Sequence, residues 1–378
     1  MSIIIKEVVE NNDYKKFVNF PFSLYKNDKM WVPPIKDEEI KMLKADSNPA
    51  FEFCDTAFWI ALDGNTVVGR VGAIINRDYN EERNEKMGRF TRFECIDDFE
   101  VAKELLHTAE SWVAHNKMDG IYGPLGFNNL DHQGVLVEGF DYLPSIASEY
   151  HKPYYKTLIE KLGYIKEIDW VEFRLTLGER AQNKAMRGSE LIKKRYGIKV
   201  IHFQSAEDLK PYINKVFEIL NGSFDILPFV SKFNDKLAQF YANKYLSILN
   251  PNFVKMVEIE GKPIGFIVGL PSLSRAMQKA KGSLFPLGIV HIMKALKGKG
   301  IDTVDQMLTG VLKEYHSTGA AVILQAELQN EMVKRGLKYI ETTGIFETNE
   351  RAIKNWKNYE HIQHKRKRCY RKDWNSNS

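Results

Sequence analysis

The chain is poor in cysteine: three in 378 residues, with no C-x-x-C pair and an odd total. Cys54, Cys95 and Cys369 therefore suggest neither a disulfide framework nor a structural zinc site, and such usage fits a reducing compartment. No stretch approaches the roughly 18 uninterrupted apolar residues that would mark a membrane span. The opening MSIIIKEVVENND meets acids and amides too early for a signal peptide. A cytoplasmic protein is expected. Neither G-x-G-x-x-G nor a P-loop is present, which counts against dehydrogenase and kinase chemistry, and no Ser-His-Asp arrangement can be picked out. A strong excess of one charge is also missing. Lys and Arg number 54 against 49 Asp and Glu, a net +5 too mild to indicate nucleic acid.

What is present is an ordinary globular composition, 44% hydrophobic and 27% charged, in a chain long enough for about two or three domains. Residues 57–76 alternate as two β-rich runs around Asp63-Gly64-Asn65, and 253–270 do the same around Glu260-Gly261-Lys262. Both read as hairpins. Each is followed by a strand, a helix, a strand and a helix. In the first half these are 89–95, 98–116, 120–123 and 152–162; in the second they are 304–312, 319–335, 339–345 and 349–358. Ala102, Leu105, Leu106, Ala109, Trp112 and Val113 fall at helical spacing in one crossover helix, and Ala321, Leu324, Leu328 and Met332 in the other. The pattern predicts an α/β (α+β) protein of two similar domains, 1–178 and 199–378, each a mixed sheet flanked by helices. The polar and basic stretch 179–198 is expected to link them.

The segment 308–321, LTGVLKEYHSTGAA, runs from a strand through a short loop into a helix. Free backbone N–H groups and the positive end of the helix dipole then meet at the strand's C-terminal edge, an arrangement suited to a phosphate. Small residues (Ser317, Thr318, Gly319, Ala320, Ala321) would allow close approach, and no acid lies between His316 and Ala326. The matching turn of the first half, Ile96-Asp97-Asp98-Phe99-Glu100, carries three carboxylates and no glycine. Each would oppose a phosphate by roughly 4 kcal/mol per unit charge at about 4 Å and an effective dielectric of about 20. An anionic ligand is expected in the second half only.

Strand 304–312, the loop His316-Ser317-Thr318-Gly319-Ala320-Ala321, and Glu347-Thr348-Asn349-x-x-Ala352 followed by Trp356 resemble the core of the GNAT superfamily of acyl-CoA N-acyltransferases. The family's pyrophosphate loop is written Gln/Arg-x-x-Gly-x-Gly/Ala. His316, Gly319 and Ala321 occupy those positions, and His316 departs from the pattern. Gly123-Pro124, the run Gly134 to Asp141, and Pro153-Tyr154-Tyr155 before Gly163 resemble tandem GNAT-like bacterial proteins. The resemblance implies two GNAT-like domains in tandem, the first degenerate, with acetyl-CoA or another acyl-CoA as co-substrate and a small-molecule or peptide amine as acceptor. It also implies that the backbone of Leu308, Gly310 and Val311 holds the pantetheine and polarises the thioester, that residues 316–321 hold the pyrophosphate, and that Asn349 assists. Glu347 is the candidate for a water-assisted base, with Asp131 of the first half as another. Trp356 stands where the family has a tyrosine acid, so Tyr359 becomes the candidate proton source. Two other functions fit the same residues: a non-catalytic protein binding acyl-CoA or another anion, and an aminoacyl-tRNA-dependent transferase.

Three further features need a place. Residues 272–300 contain Arg275, Lys279, Lys281, Lys294, Lys297 and Lys299 and no acid. With the apolar run Leu284–Met293 they are expected to form a helical lid over the cofactor site; a membrane-surface patch is the competing reading. The run Lys365–Arg368 is expected to be a solvated strand edge. His361 and His364, three apart on a strand, would point to opposite faces, so no shared metal is expected.

Overall fold

The computed structural model describes residues 2–225 and 227–374. The chain begins with β1 (Ile3–Glu7), α1 (Asn11–Leu24) and α2 (Lys36–Met42). Then come the hairpin β2 (Cys54–Asp63) and β3 (Thr66–Asn76), α3 (Arg77–Arg83), β4 (Met87–Cys95), α4 (Phe99–His115), β5 (Gly120–Gly123), β6 (Val135–Glu138), α5 (Tyr154–Lys161) and β7 (Ile165–Thr176). The second half has α6 (Glu179–Tyr196), β8 (Ile198–His202), α7 (Ala206–Leu209), α8 (Ile213–Phe224), α9 (Asp235–Leu246) and the hairpin β9 (Val254–Ile259) and β10 (Lys262–Pro271). It continues with α10 (Ser274–Ala280), α11 (Gly288–Leu296), β11 (Thr303–Val311), α12 (Ala320–Lys334), β12 (Tyr339–Thr342), β13 (Ile345–Phe346), α13 (Glu350–Lys354) and β14 (Glu360–Asp373). These form two compact units. The first takes the chain up to Val171, then Met277–Gly288 and the residues from Lys365 onward; the second takes Glu172–Ala276 and Ile289–His364.

In the first unit the strands run β1-β2-β3-β4-β5-β14, with β6 also paired to β14. Strands β4 and β5 are parallel, because α4 returns the chain between them. Asp98 starts α4: its carboxylate accepts from the N–H groups of Glu100 and Val101 at 2.9 and 3.1 Å. The stripe Val101, Ala102, Leu105, Leu106, Ala109 and Val113 is buried against the sheet, each Leu or Val contributing about 1.5–3 kcal/mol. Gly88 is required beneath it, since a Cβ there would collide with Val113.

The second unit repeats this order. Its strands run β7-β12-β11-β10-β9-β8, and again a parallel pair, β11 and β12, is joined through a helix, here α12. The β9–β10 turn holds Glu260 and Gly261 at φ 50° and 80°, the conformation that Gly favours in two-residue hairpins. Helix α12 is buried nearly all round, from Ala320 and Ile323 to Gln329 and Met332. Its outer side is covered by α6, where Lys193 pairs with Glu327 at 2.6 Å and Gln182 donates to the Ala326 carbonyl at 3.4 Å. Residues 179–198, expected as a connection, therefore carry a long helix. Good helix formers (Glu, Arg, Gln, Lys, Ala) build it without an apolar stripe, and Gly197 ends it at φ 66°.

The basic run of β14 departs from expectation. Lys365 and Lys367 are only 2% and 4% exposed. In the first unit, Arg366 and Arg368 grip Asp169 at 3.0 and 2.8 Å. This stretch lies inside the sheet, paired with β5 and β6, so the run is not a solvated edge. Charge patterning alone could not reveal its buried acidic partner.

Candidate functional site

Strand β11 pairs with β12 only over Thr303–Gln306. Beyond that point Thr343 turns away, its hydroxyl donating to the carbonyls of Met307 and Gln306 at 3.1 and 3.3 Å. On its other edge β11 stays paired with β10, with one extra residue, Met307, between Leu308 (opposite Val268) and Gln306 (opposite Gly269). Such a bulge redirects a strand. Residues 307–311, which include Leu308, Gly310 and Val311, are left with one edge that no other described strand pairs.

The loop after β11 is tied back onto that strand. The Val311 carbonyl accepts from Ser223 Oγ at 2.9 Å and from His316 Nε2 at 2.8 Å. Arg351 Nη1 lies 2.7 Å from His316 Nδ1. Because a guanidinium can only donate, Nδ1 accepts and the proton sits on Nε2. His316 thus braces the loop and holds a cation, Arg351, beside it. Thr318 Oγ1 donates to Tyr315 O at 2.7 Å and accepts from Ala320 N at 3.3 Å. Gly319 is the N-cap of α12 at φ 84°, with no side-chain cap. Among the described residues, the N–H groups of Ser317, Gly319 and Ala321 have no partner. Three unpartnered donors, a helix dipole, a neighbouring arginine and a run from His316 to Ala326 that holds no acid make a seat for an anion.

The remaining predicted residues are spread more widely. Glu347 is half-buried in the turn after β13. Asn349 caps α13, its side-chain oxygen accepting from Ala352 N at 3.1 Å. Tyr359 is half-buried beside Gln329 of α12, and burial pushes its phenol above the ordinary value. Trp356 is buried, and among the described residues its indole nitrogen has no hydrogen-bond partner. Asp131 belongs to the first unit and is already committed: one oxygen lies 3.0 Å from Arg92 Nη2, and the carboxylate also accepts from the N–H groups of Phe127 and His132. That role makes it an ion-pair partner, not a free base. Sequence reasoning missed Arg351 and Ser223; an Arg two residues past the expected Asn was the available signal for the first.

The first unit shows what the same geometry becomes when it is closed. Strand β4 carries the equivalent bulge, since Gly72 pairs with Thr91 and Arg70 with Glu94, one residue out of step. The extra position is occupied by Arg92 at φ 49°, buried, with Glu39 at 2.6 Å and Asp131 at 3.0 Å. His132 joins the group, 2.8 Å from Glu149. Burial alone would depress His132, but Glu149 and Glu39 outweigh it and raise the imidazole to about 10. The same pairing carries Glu149 down to about 2 against its own burial. At the start of α4 the amides are taken by Asp98. One unit fills its bulge with ions and caps its helix; the other leaves strand edge and helix amides available. Among the described residues no group of three or more His, Cys, Asp or Glu could hold a metal ion, and no helix is long and apolar enough to cross a membrane.

No family model matches the chain. Protein YghO of Escherichia coli (strain K12) is 30% identical over 356 residues, which cover 92% of this chain and 89% of that protein. A bacterial ceramide synthase of Caulobacter vibrioides (strain NA1000 / CB15N) is 26% identical over 317 residues, 81% of this chain and 79% of that protein. Among solved structures, a tandem GNAT protein from the clavulanic acid biosynthesis pathway aligns over 98% of both chains with a TM-score of 0.58 at 10% identity. A GCN5-related N-acetyltransferase from Sphaerobacter thermophilus covers 98% of this chain and 95% of its own, with a TM-score of 0.50 at 12% identity. At such identities these likenesses establish the fold alone, a fold of acyl-transfer proteins. With a bulged strand leading to an amide-lined helix start in one unit and the same frame plugged in the other, this chain has the fold of a tandem GNAT protein and belongs to the family of Protein YghO.

Proposed function

We propose that the protein is an acyl-CoA-dependent N-acyltransferase whose second unit holds the donor and whose acceptor is a long-chain amine. The observation that carries the reading is the set of unpartnered amides at Ser317, Gly319 and Ala321, beyond a strand with a free edge. A pyrophosphate needs donors without competing carboxylates, and this loop supplies them. Arg351 adds a cation, and its pairing with His316 holds it at the loop. The N–H groups along 308–311 are candidates to polarise a thioester carbonyl in the direction in which charge develops during attack. Glu347 is the candidate to take a proton from the acceptor's ammonium, through a water, so that the neutral amine attacks. As the new C–N bond forms and the C–S bond breaks, a thiolate leaves and the nitrogen sheds its second proton; Tyr359, kept protonated by its burial, is the candidate to protonate the thiolate, and the proton released from nitrogen restores it. The long-chain acceptor is supported by the relative named a bacterial ceramide synthase, since a ceramide is the N-acyl derivative of a long-chain amino alcohol.

The test is turnover of the full chain with acetyl-CoA and palmitoyl-CoA, each against sphinganine, spermidine and free lysine. Thiol release and product mass are followed together. Thiol release with sphinganine and palmitoyl-CoA, with an N-acyl product, is expected. Acyl-CoA binding by calorimetry without thiol release from any pair would overturn catalysis in favour of a binding protein. Turnover only with the small amines would overturn the acceptor class.

A further inference from the structure

The segment 281–299 sits awkwardly on a protein that need only bind ligands from solution. Phe285 is 77% exposed and Leu287 67%, and Val290 and Met293, one turn apart on α11, are 58% and 43% exposed. The opposite side of α11 is ordinary core, with Ile292, Ala295 and Leu296 buried. Large apolar side chains exposed singly are normal, but four within nine residues mark an interaction surface. The loop carrying the first two is firmly held. In the first unit, Gln278 donates to the carbonyls of Lys29 and Trp31 at 2.8 and 3.1 Å, and Lys36 N–H donates to Gly282 O at 3.0 Å. Ser283 Oγ closes the turn on Phe285 O at 2.8 Å. The apolar tip is therefore presented on a mount.

Charge identifies what it meets. Lys279, Lys281, Lys294, Lys297 and Lys299 are all exposed, and among the described residues none has an ion-pair partner. The segment 272–300 offers no acid of its own. A protein partner could complement either feature, but exposed aliphatic and aromatic side chains between uncompensated lysines match one surface in particular: an apolar interior beneath a sheet of anionic headgroups. We propose that the loop 279–288 of the first unit docks the protein on an anionic lipid bilayer, with Phe285 and Leu287 entering below the headgroups and Lys279 and Lys281 lying among them. This inference stands on the exposed segment alone and needs no acyl transfer to be true.

The test is co-sedimentation of the full chain, without any acyl donor, with vesicles of phosphatidylcholine alone or mixed with phosphatidylglycerol, at about 0.1 M salt. Binding to the mixed vesicles and little to the neutral ones is expected. Lys279→Gln and Lys281→Gln should each weaken it roughly fivefold. Phe285→Ala with Leu287→Ala should weaken it about tenfold or more, with melting unchanged because both side chains project into solvent. Phe285→Trp should show blue-shifted emission on mixed vesicles and quenching by lipids brominated in the acyl chain. Equal binding to both vesicle types, or no response of the tryptophan, overturns the proposal. So does a dimer that Phe285→Ala/Leu287→Ala converts to monomer while vesicle binding is absent, since a second copy would then be the occupant. Lost acyl-CoA affinity in that variant, with vesicle binding intact, would make the segment a lid instead.

Discussion

Replacing Ala321 with Glu should move fold stability and ligand affinity in opposite directions. Ala321 is the second residue of α12 and offers one of three unpartnered N–H groups. Its neighbour Gly319 is a poor place for such a test, because its φ is 84° and a Cβ there would lie 2.9 Å from Ile192 Cδ1. At position 321 a carboxylate meets only the uncapped helix dipole, so the protein alone should gain about 0.3–1 kcal/mol. Toward a phosphate the sign reverses. One negative charge about 5 Å from another costs roughly 3 kcal/mol at an effective dielectric of about 20. That corresponds to a loss of about 100-fold in affinity for coenzyme A. Ala321→Gln, with the same bulk and no charge, should lose far less, and added salt should recover part of the difference between the two. Calorimetric titration with coenzyme A, beside thermal melting of the free protein, reads both quantities. Equal affinities for the Glu and Gln variants would refute an electrostatic anion seat at this helix start.

The other predictions concern what holds each unit together. Arg92→Met leaves Glu39 and Asp131 buried without their cation and should cost about 3–5 kcal/mol in urea unfolding; a loss under about 1 kcal/mol would show that the cluster is solvated. Stability should fall on both sides of a plateau. Above about pH 6.5 the raised pKa of His132 means its contribution is lost progressively as pH climbs toward about 10. Between about pH 4.5 and 6.5, His151, lowered by burial to about 4, and Glu94, raised by burial to about 7, act in opposite directions and nearly cancel; below that window stability falls as Glu149, lowered to about 2, takes up its proton. His132→Gln should flatten the alkaline limb in melting experiments, and an unchanged limb would remove His132 from the account. Gly319→Ala should destabilise by about 1–2 kcal/mol through its left-handed backbone, and Ile192→Ala should return part of that loss in a double-mutant cycle.

How much of this was legible beforehand depended on range. The hairpins were readable because Gly64 and Gly261 are local signals, and α4 because its apolar stripe repeats every turn. The α12 loop could be placed from small residues and the lack of acids, both visible within ten positions. What escaped was everything decided by distant partners. Arg92 meets Glu39 across 53 residues, and nothing near either residue announces the other. The lysines and arginines of β14 looked solvated because Asp169, the acid that receives Arg366 and Arg368, lies nearly two hundred positions away. Helix α6 escaped for a different reason: the face it buries is small and polar, including Gln182 and Ser189, so no stripe marked it.

The path of the chain through its units sets the order in which they can be completed. The first unit needs residues from Lys365 onward, which supply its stretch of β14. A ribosome adding about 5–20 residues per second takes on the order of 10–40 s to travel from Val171 to Lys365. Throughout that interval strand β5 lacks the neighbour it pairs with through Gly120–Gly123. The first unit is therefore completed after the second, and its unpaired edge stays open to chaperones, to misplaced strands, or to nothing but water until Tyr370–Asp373 have been made.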